Sequence, residues 1–342
     1  MALTNFPNGI TSFGVPVLGT IGGLPFTGNY YFVDPLNGAD GNDGTPELPL
    51  KTLYGALAKC TAGNNDVVLL MGDGTSAGSA RLSTALAQEI NSSATNGTLN
   101  WNKNATHLIG VCAPTSVAQR ARIAPPAGTY TAATFNATTF INVTASGCYF
   151  ANLSVFCGFS TGNAAMIAWQ DSGSRNAYSN VNIFGMADAA SAGGANARTL
   201  KLLGGGENTF INCTLGGDTV ARSAANATVE LANGTARNSF IDCVFPFQAS
   251  AATPVGLRVT QGGMDRYALF KGCTFINNVG STSTTLSAFA TIATSSGGQV
   301  VVANTMMVGI TEFGSDAASL GQIYVDMAAP SASAGGIAVN PS

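Results

Sequence analysis

Three charged side chains recur at matching places along the chain and are the first candidates for chemistry. Each stands in an apolar-charged-apolar triplet, and the triplets begin 29 and 28 positions apart: Leu200-Lys201-Leu202, Val229-Glu230-Leu231 and Leu257-Arg258-Val259. This alternation is typical of strands with one buried face, which would bring Lys201, Glu230 and Arg258 into one outward column. A plus-minus-plus column favours ion pairing between neighbouring strands, and exposed pairs contribute only about 0–1 kcal/mol each.

The other acids and the single histidine form no recognisable catalytic group. Asp188, Asp218, Asp242 and Asp265 are scattered, and no Asp-Asp pair is present. His107 stands beside apolar residues, and a catalytic base also needs a positioned partner, so a core or turn role is favoured. The sequence therefore predicts no catalytic residue and a protein that is not an enzyme.

Metal, cofactor and redox chemistry are not indicated either. The loop from Asp34 to Asp43 carries oxygen ligands that could bind calcium, but it lacks the bidentate Glu of a helix-loop-helix site, so turn formation is favoured and no metal is predicted. The chain has seven cysteines, an odd number, and no C-x-x-C motif. This pattern indicates free thiols packed in the core rather than disulfides or metal ligands. No cofactor is predicted.

Composition limits the partners of the chain. Of its 342 residues only 9% are charged, with a net charge of −3, whereas about a quarter is usual for a globular domain. Fourteen Lys and Arg residues spread singly give no basic patch, so nucleic acid is not an expected partner. No run of about eighteen apolar residues occurs, so no membrane span is expected.

A regular repeat dominates the second half of the chain. Six segments begin with an apolar residue and start 28, 32, 30, 30 and 32 positions apart, from Phe150 to Val302. A repeat on this scale predicts stacked coils. The third position holds residue types that tolerate left-handed backbone conformations, which predicts a ladder of bends at Asn152, Asn180, Asn212, Asp242, Gly272 and Asn304. With a bend there, the next residue points inward, and this places Cys213, Cys243 and Cys273 in one buried file.

These turns resemble the asparagine ladder of right-handed parallel β-helix proteins, the pectin-lyase-like fold that phage tailspikes share. The resemblance extends over roughly residues 30 to 310 and predicts an all-β, right-handed parallel β-helix solenoid. It implies that an enzyme of this fold would act on polysaccharide in a groove along one sheet. Lyases of the family use clustered carboxylates for calcium with an arginine base, and hydrolases use paired acids.

Three regions are predicted from the pattern. Residues 1–30 carry no charged side chain and form an extended arm for assembly, whose contacts would come from Phe6, Pro7, Phe13, Val15, Pro16, Val17 and Leu18. Residues 31–310 form the β-helix body, with a short capping helix near residues 50–60 that covers its open end. Residues 311–342 form a terminal strand and a flexible tail.

The beginning of the chain resembles phage virion proteins encoded near capsid genes. This resemblance and the neutral composition predict a structural virion protein, a capsid decoration or cement protein made in the host cytoplasm. Its partners would be the major capsid protein and copies of itself in a homotrimer, with surface glycans as further partners. Two alternatives stay open. One is a tailspike-like polysaccharide depolymerase that depends on Glu230 or Asp265, and the other is a glycan-binding adhesin, which an aromatic-lined groove would favour.

Overall fold

Each repeat forms one coil of three short strands, and the corresponding strands of successive coils pair in parallel. The computed structural model describes residues 27–72, 98–117, 119–124, 138–158, 167–278 and 287–326, and the backbone of four two-residue strands between residues 11 and 25. The coils stack into three long parallel sheets, here called sheets 1, 2 and 3 in the order in which a coil passes through them. The predicted parallel β-helix solenoid is confirmed.

Sheet 1 contains the apolar-charged-apolar triplets. Its strands are Leu99–Trp101, Thr139–Val143, Ile167–Asp171, Arg198–Leu203, Ala227–Ala232, Val255–Val259, Ser287–Ile292 and Ile310–Gly314. Sheet 2 is the longest, with the strands Tyr30–Val33, Asp66–Met71, Thr106–Val111, Tyr149–Ala151, Ala177–Ser179, Thr209–Ile211, Thr235–Ile241, Met264–Lys271, Gln299–Ala303 and Ile323–Val325.

Sheet 3 follows the bend. Its strands are Arg122–Ile123, Ser154–Phe156, Asn182–Phe184, Thr214–Leu215, Gly217–Arg222, Val244–Ala249, Thr274–Asn277 and Met306–Val308. The bends between sheets 2 and 3 have positive φ angles of 47° to 66° at the six ladder positions, Asn152, Asn180, Asn212, Asp242, Gly272 and Asn304. Asn180 donates its amide hydrogen to Asn152 Oδ1 at 3.0 Å, which joins two adjacent bends.

Within the residues that the structure describes, three short helices accompany the sheets: Leu53–Lys59, Ala189–Ala192 and Ala317–Leu320. The first lies in the range predicted for the capping helix and buries Leu53, Ala56 and Leu57. Its N-cap is Thr52, whose hydroxyl accepts from the Gly55 amide at 2.9 Å. In the described ranges, no helix combines the length and hydrophobicity needed to cross a membrane.

The last strands of the body lie near and beyond residue 310. The sheets continue past residue 310, because Ile310–Gly314 pairs in sheet 1 and Ile323–Val325 pairs in sheet 2. The tail from residue 327 lies outside the described residues. So do the side chains of the predicted arm, of which only backbone strands are described. These strands pair in antiparallel fashion, Thr11–Ser12 with Val15–Pro16 and Thr20–Ile21 with Leu24–Pro25.

The interior is filled by files of identical or similar side chains, one from each coil. An aromatic file stacks its rings nearly parallel, with centroids 4.3 to 5.0 Å apart, along Phe150, Tyr178, Phe210, Phe240 and Phe270. Cys213, Cys243 and Cys273 are buried side by side in a second file. Because each ring or thiol contacts its counterparts above and below, the core is continuous along the whole body.

A buried polar ladder joins sheets 1 and 2, and the sequence pattern did not predict it. The backbone amides of Cys148, Asn176 and Asn208 donate to the side-chain oxygens of Asn176, Asn208 and Asn238, at 2.9, 2.9 and 3.2 Å. Beside the ladder, the buried Asp171 carboxylate accepts from the Tyr178 hydroxyl at 2.6 Å. Each asparagine satisfies backbone groups of a neighbouring coil, so this ladder fixes the stacking register from inside.

His107 is buried in sheet 2 in its neutral form. Its Nδ1 accepts a hydrogen bond from the Tyr149 backbone amide at 3.0 Å, so the ring proton is on Nε2. Burial lowers the pKa of His107 to about 4. A ring that stays neutral and bonded to backbone is suited to packing rather than to proton transfer at neutral pH.

This burial predicts acid sensitivity. As pH falls from about 6.5 towards about 4, the unfolded chain takes up a proton that the folded ring does not bind, so stability declines by about 2–3 kcal/mol from this group. A His107→Gln variant can still accept from the Tyr149 amide and does not titrate. Urea unfolding at pH 7 and pH 4.5 should show a smaller difference for this variant than for the wild type. Equal differences for the two proteins would contradict the assignment.

Candidate functional site

The outer face of sheet 1 carries one polar side chain from each of seven consecutive coils. The strand register places them side by side in a single column, here called the polar column: Asn100, Asn142, Gln170, Lys201, Glu230, Arg258 and Thr291. The residues on either side of these positions point into the core, because side chains alternate along a strand. The column is therefore a continuous polar stripe along the body.

Hydrogen bonds connect the column at its N-terminal end. Asn142 donates to the Asn100 side-chain oxygen at 3.0 Å, and Gln170 donates to the Asn142 side-chain oxygen at 3.1 Å. At the other end the Thr291 hydroxyl donates to the Ser315 hydroxyl oxygen at 2.9 Å. Such bonds hold the side chains in fixed positions, which lowers the entropy cost of binding a ligand along the stripe.

Glu230 is the centre of a charged cluster in the middle of the column. Arg198 Nε lies 2.6 Å from Glu230 Oε2, and Lys201 Nζ lies 3.1 Å from Oε1. The side chains of Arg198 and Glu230 are only 5% and 7% exposed. The expected exposed pairing is therefore wrong in two respects: Glu230 is buried, and its second partner is Arg198. A carboxylate bound in this way to two cations is suited to holding charges in place.

Two more arginines, Arg222 and Arg258, lie close enough to Arg198 to feel its charge. Arg222 is buried, donates to Asn226 Oδ1 at 2.6 Å and to the Val255 carbonyl at 3.0 Å, and stacks 5.0 Å from the centre of the Phe247 ring. Burial, and then the nearby charges of Arg198 and Arg258, lower the pKa of Arg222 to about 9. The cluster thus holds the four cations Arg198, Lys201, Arg222 and Arg258 with one carboxylate, Glu230, so it has an excess of positive charge.

Arg258 is the member of the cluster that faces an open depression. It is half-buried, and its Nη2 donates to the Ala225 carbonyl at 2.6 Å, while its Nε makes no hydrogen bond. The depression has a volume of about 780 Å³, and its lining includes Arg258, Thr260, Thr291, Thr294 and Asp316. A guanidinium group at the edge of a depression that also carries several hydroxyls can bind a carboxylate and neighbouring hydroxyl groups.

The acid in this depression has a structural role. Asp316 is the N-cap of Ala317–Leu320, and its Oδ1 accepts from the Ser319 amide at 2.8 Å. Hydrogen bonds from Ser319, and then from Ser315, hold the pKa of Asp316 below its usual value. Asp316 is therefore ionised at neutral pH and a weak base.

The other acids considered from the sequence are not brought to this site. Asp265 lies in sheet 2, where it is exposed and 3.6 Å from Arg266. Asp188 is the N-cap of Ala189–Ala192, and Asp242 forms a bend. Asp218 is exposed at the start of a sheet 3 strand. Glu230 and Asp265, the two acids of the depolymerase hypothesis, thus belong to different sheets.

The loop considered for calcium uses its carboxylates to fold the chain. Asp34 accepts from the backbone amides of Leu36 and Asn37 at 3.0 and 3.1 Å. Asp40 accepts from the Thr52 amide and hydroxyl, both at 2.8 Å, and so supports the cap of the first helix. Within the described ranges, no three His, Cys, Asp or Glu residues are grouped in a way that could hold a metal ion.

Comparisons with known proteins bear on the fold. The chain is similar to a solved rhamnogalacturonan lyase, with 16% identity over 81% of this chain and 68% of that chain, and a TM-score of 0.53. It is also similar to a pectate lyase, with 14% identity, 80% and 68% coverage and a TM-score of 0.49. A pectin methylesterase from Aspergillus niger gives 14% identity, 80% and 75% coverage and a TM-score of 0.48. No protein-family model and no curated protein matches the chain.

The first of these likenesses corrects one prediction. The expectation of a protein that is not an enzyme is contradicted, because the rhamnogalacturonan lyase that shares this fold is an enzyme. At 16% identity the likeness itself establishes the pectin-lyase-like fold and no more. An activity for this chain has to be argued from its own residues.

Proposed function

We propose that this protein binds an extended acidic polysaccharide along the polar column of sheet 1 and cleaves it. The observation that carries the proposal is the excess of positive charge around Glu230, which adjoins the open depression at Arg258. The solved structure of the same fold is named a rhamnogalacturonan lyase, which is an enzyme that acts on an acidic polysaccharide. This supports the proposed substrate class. The depolymerase alternative is therefore preferred for this chain.

The form of the column suits a polymer. Its side chains recur once per coil, at the strand separation of about 4.8 Å. A polysaccharide also presents similar groups at regular intervals, so several of its units can be held by equivalent contacts. Each contact is weak, but contacts on one linked chain add without a new loss of translational freedom. Lys201 and Arg258 supply the positive charge, and Gln170 and Thr291 supply neutral hydrogen-bonding groups.

The charges favour elimination over hydrolysis. Hydrolysis of a glycosidic bond needs two carboxyl groups at the same place, and Asp316 is the single carboxylate among the described residues that line the depression. A guanidinium that neutralises a uronate carboxylate makes the adjacent C5 proton more acidic. When a water molecule takes up that proton, the electron pair of the C5–H bond forms the C4–C5 double bond, the C4–O4 bond breaks, and O4 takes a proton from water. We propose that Arg258 stabilises the negative charge that develops in this step.

The experiment is a cleavage assay on a panel of uronate-containing and neutral polysaccharides. Elimination produces unsaturated ends that absorb ultraviolet light, whereas hydrolysis produces only new reducing ends. We expect unsaturated ends from an acidic substrate and a loss of about 100-fold or more in kcat/KM for Arg258→Gln. Arg258→Lys should retain part of the activity, because it keeps the charge.

The matched control is Arg175→Gln. Arg175 is 76% exposed and pairs with Glu207 away from the column, so its loss should leave cleavage unchanged. Melting curves establish that each variant is folded. The proposal fails if no acidic polysaccharide is bound or cut, or if Arg258→Gln is folded and as active as the wild type.

We also propose that the chain works on a phage virion, attached to the capsid through residues 1–30 and assembled as a homotrimer. The support is the absence of any charged side chain in residues 1–30 of the sequence. Such a segment lowers its free energy when it is covered by another protein surface. Purified particles should contain the chain, and a variant without residues 1–25 should be missing from them. Full incorporation of that variant would contradict the attachment.

A further inference from the structure

A second concave site lies on the outer face of sheet 3. Sheet 3 holds the last strand of each coil, whereas the polar column lies on sheet 1, which holds the first. It is a cavity of about 480 Å³. This volume is within the range of about 300–1,000 Å³ that is usual for small-molecule sites. The strand register arranges its floor in two neighbouring columns, one with polar side chains and one with apolar side chains.

The apolar column begins with two stacked rings. Phe156 and Phe184 are partly exposed, with centroids 5.3 Å apart and planes at 14°. Pro246 and Ile276 continue the column in the later coils and also line the cavity. Partly exposed aromatic rings on the outside of a sheet are not needed for the core, which is filled separately by the aromatic file inside.

The polar side chains on the floor of the cavity are partly covered by residues 113–117, which form one of its walls. Asn182 Nδ2 donates to the Thr115 carbonyl at 3.2 Å, and the Thr214 hydroxyl donates to the Ser116 carbonyl. These contacts fasten the wall to coils that lie 67 and 98 residues further along the chain. The cavity is thus built by segments that are distant in sequence, and its wall is held in place.

One buried acceptor of the cavity has no hydrogen-bond partner. Asn182 is 4% exposed, and its Oδ1 is buried without a hydrogen-bond partner, although its amide nitrogen is bonded to the wall. A buried acceptor of this kind is unfavourable until a donor reaches it. Asp218 and Thr219, both exposed, add further oxygen atoms at the rim. The cavity therefore combines an apolar floor with acceptors that need hydroxyl or amide donors.

We propose that this cavity binds a neutral sugar residue. A pyranose ring presents C–H groups that pack on aromatic and aliphatic side chains, and its hydroxyls donate to acceptors such as Asn182 Oδ1. The cavity lies on a different sheet from the polar column, and this inference does not depend on the proposed cleavage of an acidic polysaccharide. A protein with both sites would hold a neutral unit of a surface glycan on one face and an acidic chain on another.

Saturation-transfer NMR tests the inference with defined probes. The panel consists of the methyl glycosides of glucose, galactose and mannose, together with N-acetylglucosamine. We expect at least one sugar to bind the full-length protein. The Phe184→Ala substitution should raise the Kd for that sugar about tenfold, which corresponds to a loss of about 1.4 kcal/mol in binding free energy. Val244→Trp should abolish binding, because Val244 lines the cavity and the larger side chain fills it.

Two controls separate this site from other effects. Tyr267→Ala removes an exposed aromatic ring from sheet 2 and should leave sugar binding unchanged. Arg258→Gln should also leave it unchanged, so failure of the cleavage proposal and failure of this inference are distinguishable. The inference is overturned if no sugar of the panel binds, if toluene binds instead of the sugars, or if folded Phe184→Ala and Val244→Trp proteins both bind as the wild type does.

Discussion

Replacement of Glu230 by Gln is expected to destabilise the protein by about 3–5 kcal/mol. The substitution preserves the shape of the side chain but removes the negative charge that Arg198 and Lys201 contact at 2.6 and 3.1 Å. Arg198 is almost fully buried and cannot regain its charge solvation from water. The nearby Arg222 and Arg258 add to the repulsion, so the cluster would hold only positive charges.

Chemical unfolding measured by circular dichroism tests this expectation. Glu207→Gln is the matched control, because Glu207 also contacts two arginines, Arg175 and Arg237, but is 40% exposed. Its loss should change the free energy of unfolding by less than about 1 kcal/mol. The double variant Arg198→Met with Glu230→Met should recover much of the stability, because both charges of the buried pair are then removed together. A Glu230→Gln protein as stable as the control would show that the buried pair is not what stabilises this region.

Glu230 is a poor probe of catalysis, because its replacement is expected to disturb the fold. A loss of cleavage in Glu230→Gln would follow from a disturbed fold and would not identify Glu230 as a catalytic acid. Arg258 is the better probe, because it faces the depression and contacts the fold through one described hydrogen bond, to the Ala225 carbonyl. Activity and stability should therefore separate in Arg258→Gln and change together in Glu230→Gln.

Replacement of Phe270 by Ala should cost about 3–5 kcal/mol. Phe270 is fully buried, stacks on Phe240 with ring centroids 4.6 Å apart, and meets Phe245, Phe275 and Phe289 edge to face. The cavity left by the ring lies between neighbouring coils whose backbones are fixed by parallel pairing. The surrounding structure can therefore close it only partly, and the ring contacts are lost.

Tyr267→Ala in the same strand is the control for this prediction. Tyr267 is 40% exposed, so its truncation should cost less than about 1 kcal/mol. Thermal and urea unfolding of both variants measure the difference, with at least two spectroscopic probes, because a stack of coils can unfold in stages. Similar losses for Phe270→Ala and Tyr267→Ala would contradict the arrangement of inward and outward residues in sheet 2.

The repeat and the bends could be predicted from the sequence because they depend on local properties. Residues that tolerate positive φ recur at fixed spacing, and the apolar positions around them determine which side chains point inward. The triplets around Lys201, Glu230 and Arg258 likewise fixed the register of sheet 1. These features can be predicted from the repeat length and from the alternation of inward and outward side chains along a strand.

The buried polar contacts could not be predicted in the same way. Arg198 stands three positions before Lys201, and its pairing with Glu230 depends on how two coils are stacked. Arg222 and the ladder of Asn176, Asn208 and Asn238 also act across coils. The asparagines recur 32 and 30 positions apart, so a search for a second repeated polar position could have found them. No comparable signal marks Arg222.

The site that we propose for cleavage could not be predicted from the sequence for a related reason. Paired acids are the usual sequence sign of glycan hydrolysis, whereas the cluster at the polar column is made mainly of cations. Three of these, Arg198, Arg222 and Arg258, are far apart in the chain. The depression at Arg258 is formed by residues of three coils, and its volume is a property of the stack. Charge counts along the sequence show a neutral protein and do not show a local excess of positive charge.

The most direct test of the proposed function is a crystal structure of the protein with an acidic oligosaccharide that it binds. The account predicts electron density for the sugar chain along the outer face of sheet 1, with a uronate carboxylate within hydrogen-bonding distance of the Arg258 guanidinium. Density for the acidic chain on sheet 2 or sheet 3, with the polar column empty, would contradict it.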